Sequence, residues 1–325
     1  MNAQQLTDKL ATLKAQRPVT VLGAAVIDVI ADAYALPWRG CDIELQQQSV
    51  NVGGCALNIA VTLKRLGIDA QNALPIGQGV WAEIIRQRLA KEGLTSVISQ
   101  ADGDNGWCLA LVEPDGERTF MSFSGVENQW CDAWLERVHA PSGSLVYLSG
   151  YQLASASGER LVSWLERQPQ VSAFIDFGPR IADIPETLMT RLMTRLMALK
   201  PLVSVNRQEA VIAAEAHGFS PEVSAFGAAW LKKYAAPLIV RLDKEGACYF
   251  SPQESGLAAP FPTTVVDTIG AGDSHAGGTL AGLAAGWSLG EAVTLGNAVA
   301  AWVVGHRGGD CAPHREALLL AHKNV

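Results

Sequence analysis

An α/β fold is predicted for this 325-residue chain, with a mainly parallel central sheet flanked by helices and a small β lid standing over it. Three observations predict it. Apolar β-type runs alternate with amphipathic helical segments, the pattern of repeated βα units. Two further β stretches alternate polar and apolar side chains, as a sheet with one face in water requires. Glycine-rich segments join strand ends to helix starts, and the chain carries 31 Gly against about 23 expected from an average usage near 7%.

Composition bounds the partners. Hydrophobic residues are 49% and charged residues 18% of the chain, which suits one large α/β unit with an appendage, or two domains. The formal charge is 25 − 32 = −7, so the whole-molecule field repels nucleic acid and anionic lipid. A small anionic ligand would need a local positive site, such as helix N-terminal amides. The six cysteines, at 41, 55, 108, 131, 248 and 311, form no CxxC pair, so neither a zinc cage nor a disulfide framework is indicated. A reducing cytoplasm is the expected compartment.

In chain order, residues 1–17 read as an amphipathic helix through Leu6, Leu10 and Leu13, without a signal peptide's apolar stretch. The main domain is expected over residues 18–325. Residues 19–28 are an apolar run broken by Gly23, expected as one central strand buried on both faces. Residues 42–50 alternate in period two, and so do residues 107–112, which pass through Glu113-Pro114-Asp115-Gly116-Glu117 into residues 118–123. Asp-Gly in that setting signals a hairpin. These pieces are assigned to a lid inserted at about 34–52 and 104–126, above the carboxyl ends of the strands where ligands bind. Strand-like runs at 145–148, 173–176, 202–205 and 238–242 then alternate with helical segments such as 158–167 and 225–234. Within residues 188–197 a repeated Leu-Met-Thr-Arg puts Leu and Met on one core-facing stripe. Residues 276–304 read as two buried helices, too interrupted to span a membrane.

The densest chemical signal is Val265-Val266-Asp267-Thr268-Ile269-Gly270-Ala271-Gly272-Asp273, a strand end leading into an apolar helix that starts at about Asp273. Glycine allows close backbone approach, and free first-turn amides form a cradle for an anion such as phosphate. Asp273 has two readings: an N-cap serving its own backbone, or a carboxylate aimed at a ligand. Residues 50–58 repeat the arrangement, with Gly53 and Gly54 before a helix ending at Leu66 and Gly67, and Asn58 facing outward from its first turn. A third strand ends at Asn206. With Glu209 it could hold a metal-bound water, or form a capping box.

Taken together, these residues resemble the PfkB or ribokinase family of carbohydrate kinases over nearly the whole chain. Asp267 to Ser274 matches the family's DTxGAGD signature, Gly53, Gly54 and Asn58 match GGxxxN, and Asn206 with Glu209 matches NxxE. Gly23 with Asp28 is similar to the segment carrying a substrate-binding aspartate, and residues 115–119 are similar to the lid hairpin. The resemblance implies a three-layer ribokinase-like fold and ATP-dependent phosphorylation of a sugar hydroxyl, with a nucleoside as the alternative acceptor. It implies Asp273 as general base, with Gly270, Ala271 and Gly272 forming the anion hole. Asp28, Gly53, Gly54 and Asn58 would hold the acceptor, and Asn206 and Glu209 would organise nucleotide and Mg2+, the latter through water. Arg180 resembles a position near the transferred phosphate, and Asn297 one lining the adenine pocket, although helix packing is an equal reading for Asn297. Asp267 and the turn at 306–309 resemble segments that hold a monovalent cation, potassium, in several members. These roles suit phosphoryl transfer, which is mainly positioning and charge neutralisation in a site kept free of water.

The chain also departs from the family pattern. Val26 stands where many members have Asn, so one sugar hydrogen bond is expected to be missing. Arg241-Leu242-Asp243, with Gly246, replaces Thr-Leu-Gly in the segment that meets the nucleotide. Asp243 is expected to reach ribose hydroxyls, and Arg241 to pair with phosphate oxygens or with Asp243 itself. His275 replaces the commoner Phe and is expected as a packed neutral imidazole. Gly77-Gln78-Gly79-Val80-Trp81-Ala82 replaces Gly-Asp-Asp-x-x-Gly and fits the dinucleotide fingerprint GxGxxA, yet no acidic residue closes a strand about 20 residues later. The P-loop, HExxH and GxSxG motifs are absent. Trp107, Phe123 and Glu127 are expected to set acceptor specificity, and the exposed lid edge to pair with a second copy. A sugar-binding or regulatory protein without turnover is the competing class.

Overall fold

The apolar runs pair side by side because most are followed by a helix that returns the chain to the same edge of the sheet. The computed structural model describes residues 1–115, 117–168, 170–179, 186–308 and 310–322. The chain begins with α1 (Ala3–Ala11), β1 (Val19–Leu22), β2 (Val26–Asp32), β3 (Gln46–Gly53), α2 (Cys55–Arg65), β4 (Gln71–Ala73) and α3 (Val80–Glu92). It continues through β5 (Trp107–Val112), β6 (Arg118–Phe123), α4 (Asp132–Leu135), β7 (Leu145–Ser149), α5 (Gly150–Ala154), α6 (Gly158–Glu166), β8 (Ser172–Asp176) and α7 (Glu186–Ala198). The remainder holds β9 (Leu202–Asn206), α8 (Arg207–Ala216), α9 (Val223–Tyr234), β10 (Leu238–Arg241), β11 (Ala247–Phe250), β12 (Ser255–Ala258), α10 (Ala271–Ala284), α11 (Leu289–Val304) and α12 (Arg315–His322).

Eight strands form the central sheet in the order β12-β11-β10-β9-β8-β7-β1-β4. Its pairs from β4 to β10 are parallel, and β11 and β12 add an antiparallel edge. Strand alternation divides the core into two layers. Tyr147, Phe174 and Ile239 join a cluster with the buried faces of α1, α2, α10 and α11. Val146, Ile175, Val203 and Val240 face the other way, against residues of α6, α7, α8 and α9. This is the three-layer architecture expected from the sequence. The smaller sheet, in the order β3-β2-β5-β6, is the lid. Among the described residues no helix is long and apolar enough to cross a membrane.

The structure corrects several readings. Residues 19–28 are two strands in two different sheets, because the chain leaves the central sheet at Gly23. That residue has φ +152°, and a Cβ there would sit 2.8 Å from Ala56 Cβ. Asp28 therefore belongs to the lid. Residues 265–269 are not a strand: the amides of Val266 and Asp267 donate to the carbonyl of Val304 at the end of α11, and the Val265 and Val266 side chains are exposed. The β11–β12 hairpin was not anticipated. In α7, Leu192, Leu196 and Met197 are buried while Arg195 pairs with Glu166 at 2.5 Å, as the four-residue period requires.

Candidate active site

Parallel strands end together, and that alone assembles one half of the site. Asp176 closes β8, Asn206 closes β9 and Arg241 closes β10, with Asp176 in register with Ser204 and Arg241 with Asn206. Arg241 Nη1 donates to Asp176 Oδ1 at 3.2 Å and to Ser204 Oγ, and Nη2 lies 3.6 Å from Glu209 Oε2. Burial opposes the Arg241 charge, yet the neighbouring Asp176 and Glu209 carboxylates hold its pKa above the ordinary guanidinium value. Burial pushes both carboxyls up, and Arg241 counters the shift. The expectation that Arg241 meets Asp243 is thereby corrected. Asp243 is exposed, at φ +54° in a tight turn where the Leu242 amide donates to the Gly246 carbonyl at 2.7 Å. Two buried carboxylates at the strand ends claim the guanidinium instead.

Asn206 and Glu209 form the capping box. The Asn206 side chain accepts from the Glu209 amide at 2.8 Å, and the Glu209 carboxylate accepts from the Asn206 amide and side chain, both at 2.9 Å. Glu209 is thus held in place, with Arg241 as its only nearby cation among the described residues.

The other half comes from two helix N-termini. Gly270, in the left-handed conformation, caps α10 without any side-chain hydrogen bond; the Ala271 amide, expected in the anion hole, donates to the Thr268 carbonyl at 3.3 Å, and the Gly272 and Asp273 amides remain as first-turn donors. Asp273 does not cap its own helix. Its Oδ2 accepts from Asn58 Nδ2 at 2.7 Å, and the Cys55 thiol beside it favours its ionised form. Both residues sit in the first turn of α2. Burial raises the Asp273 pKa above the usual carboxylate range, the Asn58 hydrogen bond counters this, and Asp176 adds to the rise. The two helices approach closely because Gly277 offers no side chain, and a Cβ there would lie 2.7 Å from Thr62 Cβ.

The lid supplies the third part. Residues paired across a sheet project to the same face, so Asn51, Asp28, Cys108 and Ser122 form one row. Asp28 has its carboxyl pushed up to about 6, first by burial and then by the charge of Asp273 across the cleft. Gly53 makes room for it, since a Cβ at that position would lie 2.3 Å from Asp28 Oδ2. Gly54 has φ +103°, and a Cβ there would strike the Ala24 carbonyl at 2.5 Å. The GGxxxN glycines thus serve the lid carboxylate and the strand-to-helix turn.

On the far side, Gly246 and Asn297 meet at residues 258–259. Asn297 Nδ2 donates to the carbonyls of Ala258 and Ala259 at 2.9 and 3.0 Å, and a Cβ on Gly246 would lie 2.2 Å from the Ala258 carbonyl. Asn297 Oδ1 accepts from His275 Nε2 at 3.1 Å, which assigns the imidazole proton to Nε2. Burial and then Arg241 push the His275 pKa down to about 3, so it is the packed neutral side chain expected. The Asn297 amide is fully engaged within the protein and acts as a helix-packing residue that shapes this wall. Asp267 accepts from the amides of Ile269 and Gly308, both at 3.0 Å, and ties the loop before α10 to the turn after α11. Arg180 and Gly309 lie outside the described residues.

Other expectations are corrected. Trp107 and Phe123 stack at 4.4 Å, but their register partner is Ile27, so they occupy the lid face opposite Asp28. Glu127 is buried, and its carboxylate accepts from the amides of Gly106 and Gly125 at 2.8 Å. The GxGxxA fingerprint at residues 77–82 holds no free cradle, because Asp104 accepts from the amides of Trp81 and Ala82 at 3.1 and 2.8 Å. Sequence reasoning missed Asp176, Cys55 and Tyr147. The first was visible as an acidic residue closing a parallel strand. The buried Tyr147 hydroxyl, without a partner among the described residues, gave no sequence signal.

Two measurements check these electrostatics. Arg241→Met leaves Asp176 and Glu209 buried without a counter-charge and is expected to cost about 3–5 kcal/mol in urea unfolding; a loss below about 1 kcal/mol contradicts the pairing. A raised Asp28 value means that the native state binds the extra proton between about pH 4 and 6, so stability falls as pH rises through that window. Asp28→Asn should therefore gain roughly 1–3 kcal/mol over the parent at about pH 7.5, and much less at about pH 4. Equal effects at both pH values would remove this account.

Comparison with known proteins agrees with the geometry. Residues 16–315 match the pfkB family of carbohydrate kinases. The chain is 70% identical over 325 residues to the Escherichia coli K12 protein named uncharacterized sugar kinase YegV, covering all of both chains. It is 29% identical over 261 residues to 1-phosphofructokinase of the same strain, covering 78% of this chain and 80% of that one. The fold matches that of Arabidopsis thaliana ribokinase complexed with ribose and ATP, with TM-score 0.77 and 21% identity, over 94% of this chain and 99% of that one. A match of this extent shows that the chain belongs to the pfkB family of carbohydrate kinases.

Proposed function

We propose that this carbohydrate kinase transfers the γ-phosphoryl group of ATP to a hydroxyl of a sugar or nucleoside, with Asp273 as the general base. The observation that carries this reading is the 2.7 Å hydrogen bond between Asn58 and Asp273, which joins the two signature motifs across 215 residues of sequence at the mouth of an uncapped helix. A carboxylate beside an anion cradle is what in-line transfer needs. The acceptor oxygen bonds to the γ-phosphorus and its proton passes to an Asp273 carboxylate oxygen. The bond to the bridging oxygen breaks, and its electron pair leaves with ADP.

The first-turn amides of Gly272 and Asp273, at the turn that Gly270 and Ala271 form, neutralise the charge that develops on the phosphoryl oxygens, without offering a competing nucleophile. Asp28 and Asn58 orient the acceptor, and the lid keeps water out. Asn206, Arg241, Asp243, Gly246 and Asn297 border the nucleotide side, where Gly246 and Asn297 shape the wall through residues 258–259. Among the described residues no three His, Cys, Asp or Glu side chains converge into a metal cage. That suits Mg2+, which keeps its waters and binds mainly through substrate phosphates, with Glu209 and Asp176 reaching it through water. The ion would supply charge neutralisation on the phosphates. Asp267, by tying the loop before α10 to Gly308, supports a potassium site built from main-chain oxygens of those two loops.

Assays of ADP release over a panel of sugars and nucleosides test this reading. Asp273→Asn is expected to lower kcat by roughly 10² to 10⁴ while acceptor binding persists; an enzyme retaining full kcat would contradict the assigned base. Val50, Met121 and Phe123 expose apolar surface on the outer lid face, which supports pairing with a second copy. Light scattering should accordingly return about twice the chain mass, and a monomer at all concentrations excludes that pairing.

A further inference from the structure

We propose that the acceptor is an uncharged sugar carrying a flat or apolar substituent, the chemistry that glycosides and nucleosides share, and that Phe120 of the lid is the surface on which this substituent rests. The inference depends on the phosphoryl-transfer reading for the position of the acceptor. It stands on two independent features of the cleft.

The first is a row of side chains. Moving two residues along the lid strands from the Asp28 row, about 7 Å, Ser49, Ile30, Ala110 and Phe120 project to the same face as Asp28. Phe120 is 62% exposed although its register partner Ala110 is buried. The next row on that face ends in Arg118, whose Nη1 lies 3.9 Å from Asp267 Oδ1 on the loop leading into α10. The hairpin therefore reaches the main domain beyond Phe120, and the ring lies between that contact and the Asp28 row. An exposed aromatic ring at that place offers a flat apolar surface to whatever extends from a sugar held by Asp28 and Asn58.

The second feature is charge. Asp28 and Asp273 face each other across the acceptor position; after burial, the charge of Asp273 opposes ionisation of Asp28, and that of Asp176 opposes ionisation of Asp273. Arg241 is committed to Asp176 and Glu209, and Arg118 is directed at Asp267. Among the described residues of the two inner lid rows there is no Lys or Arg. A phosphate or carboxylate on the acceptor would meet two carboxylates with no counter-charge among the described residues, which discriminates against sugar phosphates and sugar acids. This separates the chain from the acceptor named in 1-phosphofructokinase, its 29% identical relative.

The test uses the full chain, with binding measured by calorimetry and turnover by ADP release. The probes are ribose against inosine, glucose against phenyl β-glucoside, and fructose against fructose 1-phosphate. The expected result is that inosine or phenyl glucoside binds about tenfold or more tightly than the bare sugar, and that fructose 1-phosphate binds about tenfold or more weakly than fructose. The first two pairs distinguish a nucleoside from a glycoside. Phe120→Ala, at an exposed position, is expected to cut the preference for the substituted sugar by about tenfold. Tighter binding of fructose 1-phosphate than of fructose, or a substituent preference that is absent or survives Phe120→Ala, overturns the inference. Binding in the expected order without any ADP release would sustain it while removing the kinase reading; fastest ADP release with fructose 1-phosphate would do the reverse.

Discussion

A single buried guanidinium organises the cleft. Arg241 stands at the end of β10 between Asp176 of the neighbouring-but-one strand and Glu209 of the helix that follows β9. Two carboxylates at this depth would otherwise protonate or repel each other, since neither has another cation beside it among the described residues. Arg241 counters the rise that burial imposes on both carboxyls and holds them at this end of the sheet, close to the N-terminus of α10. The same guanidinium also helps keep His275 neutral, so the wall behind the nucleotide side is packed and uncharged. Negative charge from the carboxylates and partial positive charge from the helix amides thus lie at adjacent places in one cleft, an arrangement suited to holding a metal-bound polyphosphate and activating an alcohol.

The acceptor half depends on packing as much as on charge. α2 and α10 meet where glycine removes a side chain, and only that approach lets Asn58 and Cys55 reach Asp273. Asp28 comes from a different sheet and is admitted because Gly53 has no Cβ. The lid is thus attached to the active site through the same short segment that begins α2. Its two faces divide the labour: the inner one carries Asp28 and Phe120, while the outer one carries the stacked Trp107 and Phe123.

Much of the site was legible in the sequence because its signals are local. Gly53, Gly54 and Asn58 lie within six residues, as do Gly270 and Asp273, and Asn206 with Glu209 needs only one helical turn. Their roles as turn, cap and cradle follow from backbone geometry over that range. Misreadings arose where a side chain had a choice of partners. Asp243 is two residues from Arg241 and looked like its partner, but burial favoured Asp176, 65 residues away in sequence. Trp107 and Phe123 looked like specificity residues because they are aromatic and in the lid, whereas pairing parity decides which face they occupy.

The sequence by itself determined the alternation of strands and helices, the central parallel sheet, the presence of a lid, and the positions at which helix amides are left free. These depend on periodicity, on glycine and on capping, which act over a few residues. Only the tertiary structure decided that residues 19–28 divide between two sheets, that Arg241 turns to Asp176 and Glu209, and that Phe120 shares a face with Asp28. Each of those outcomes rests on burial, charge pairing or strand register between segments far apart in sequence, and such energies exist only once the segments have met.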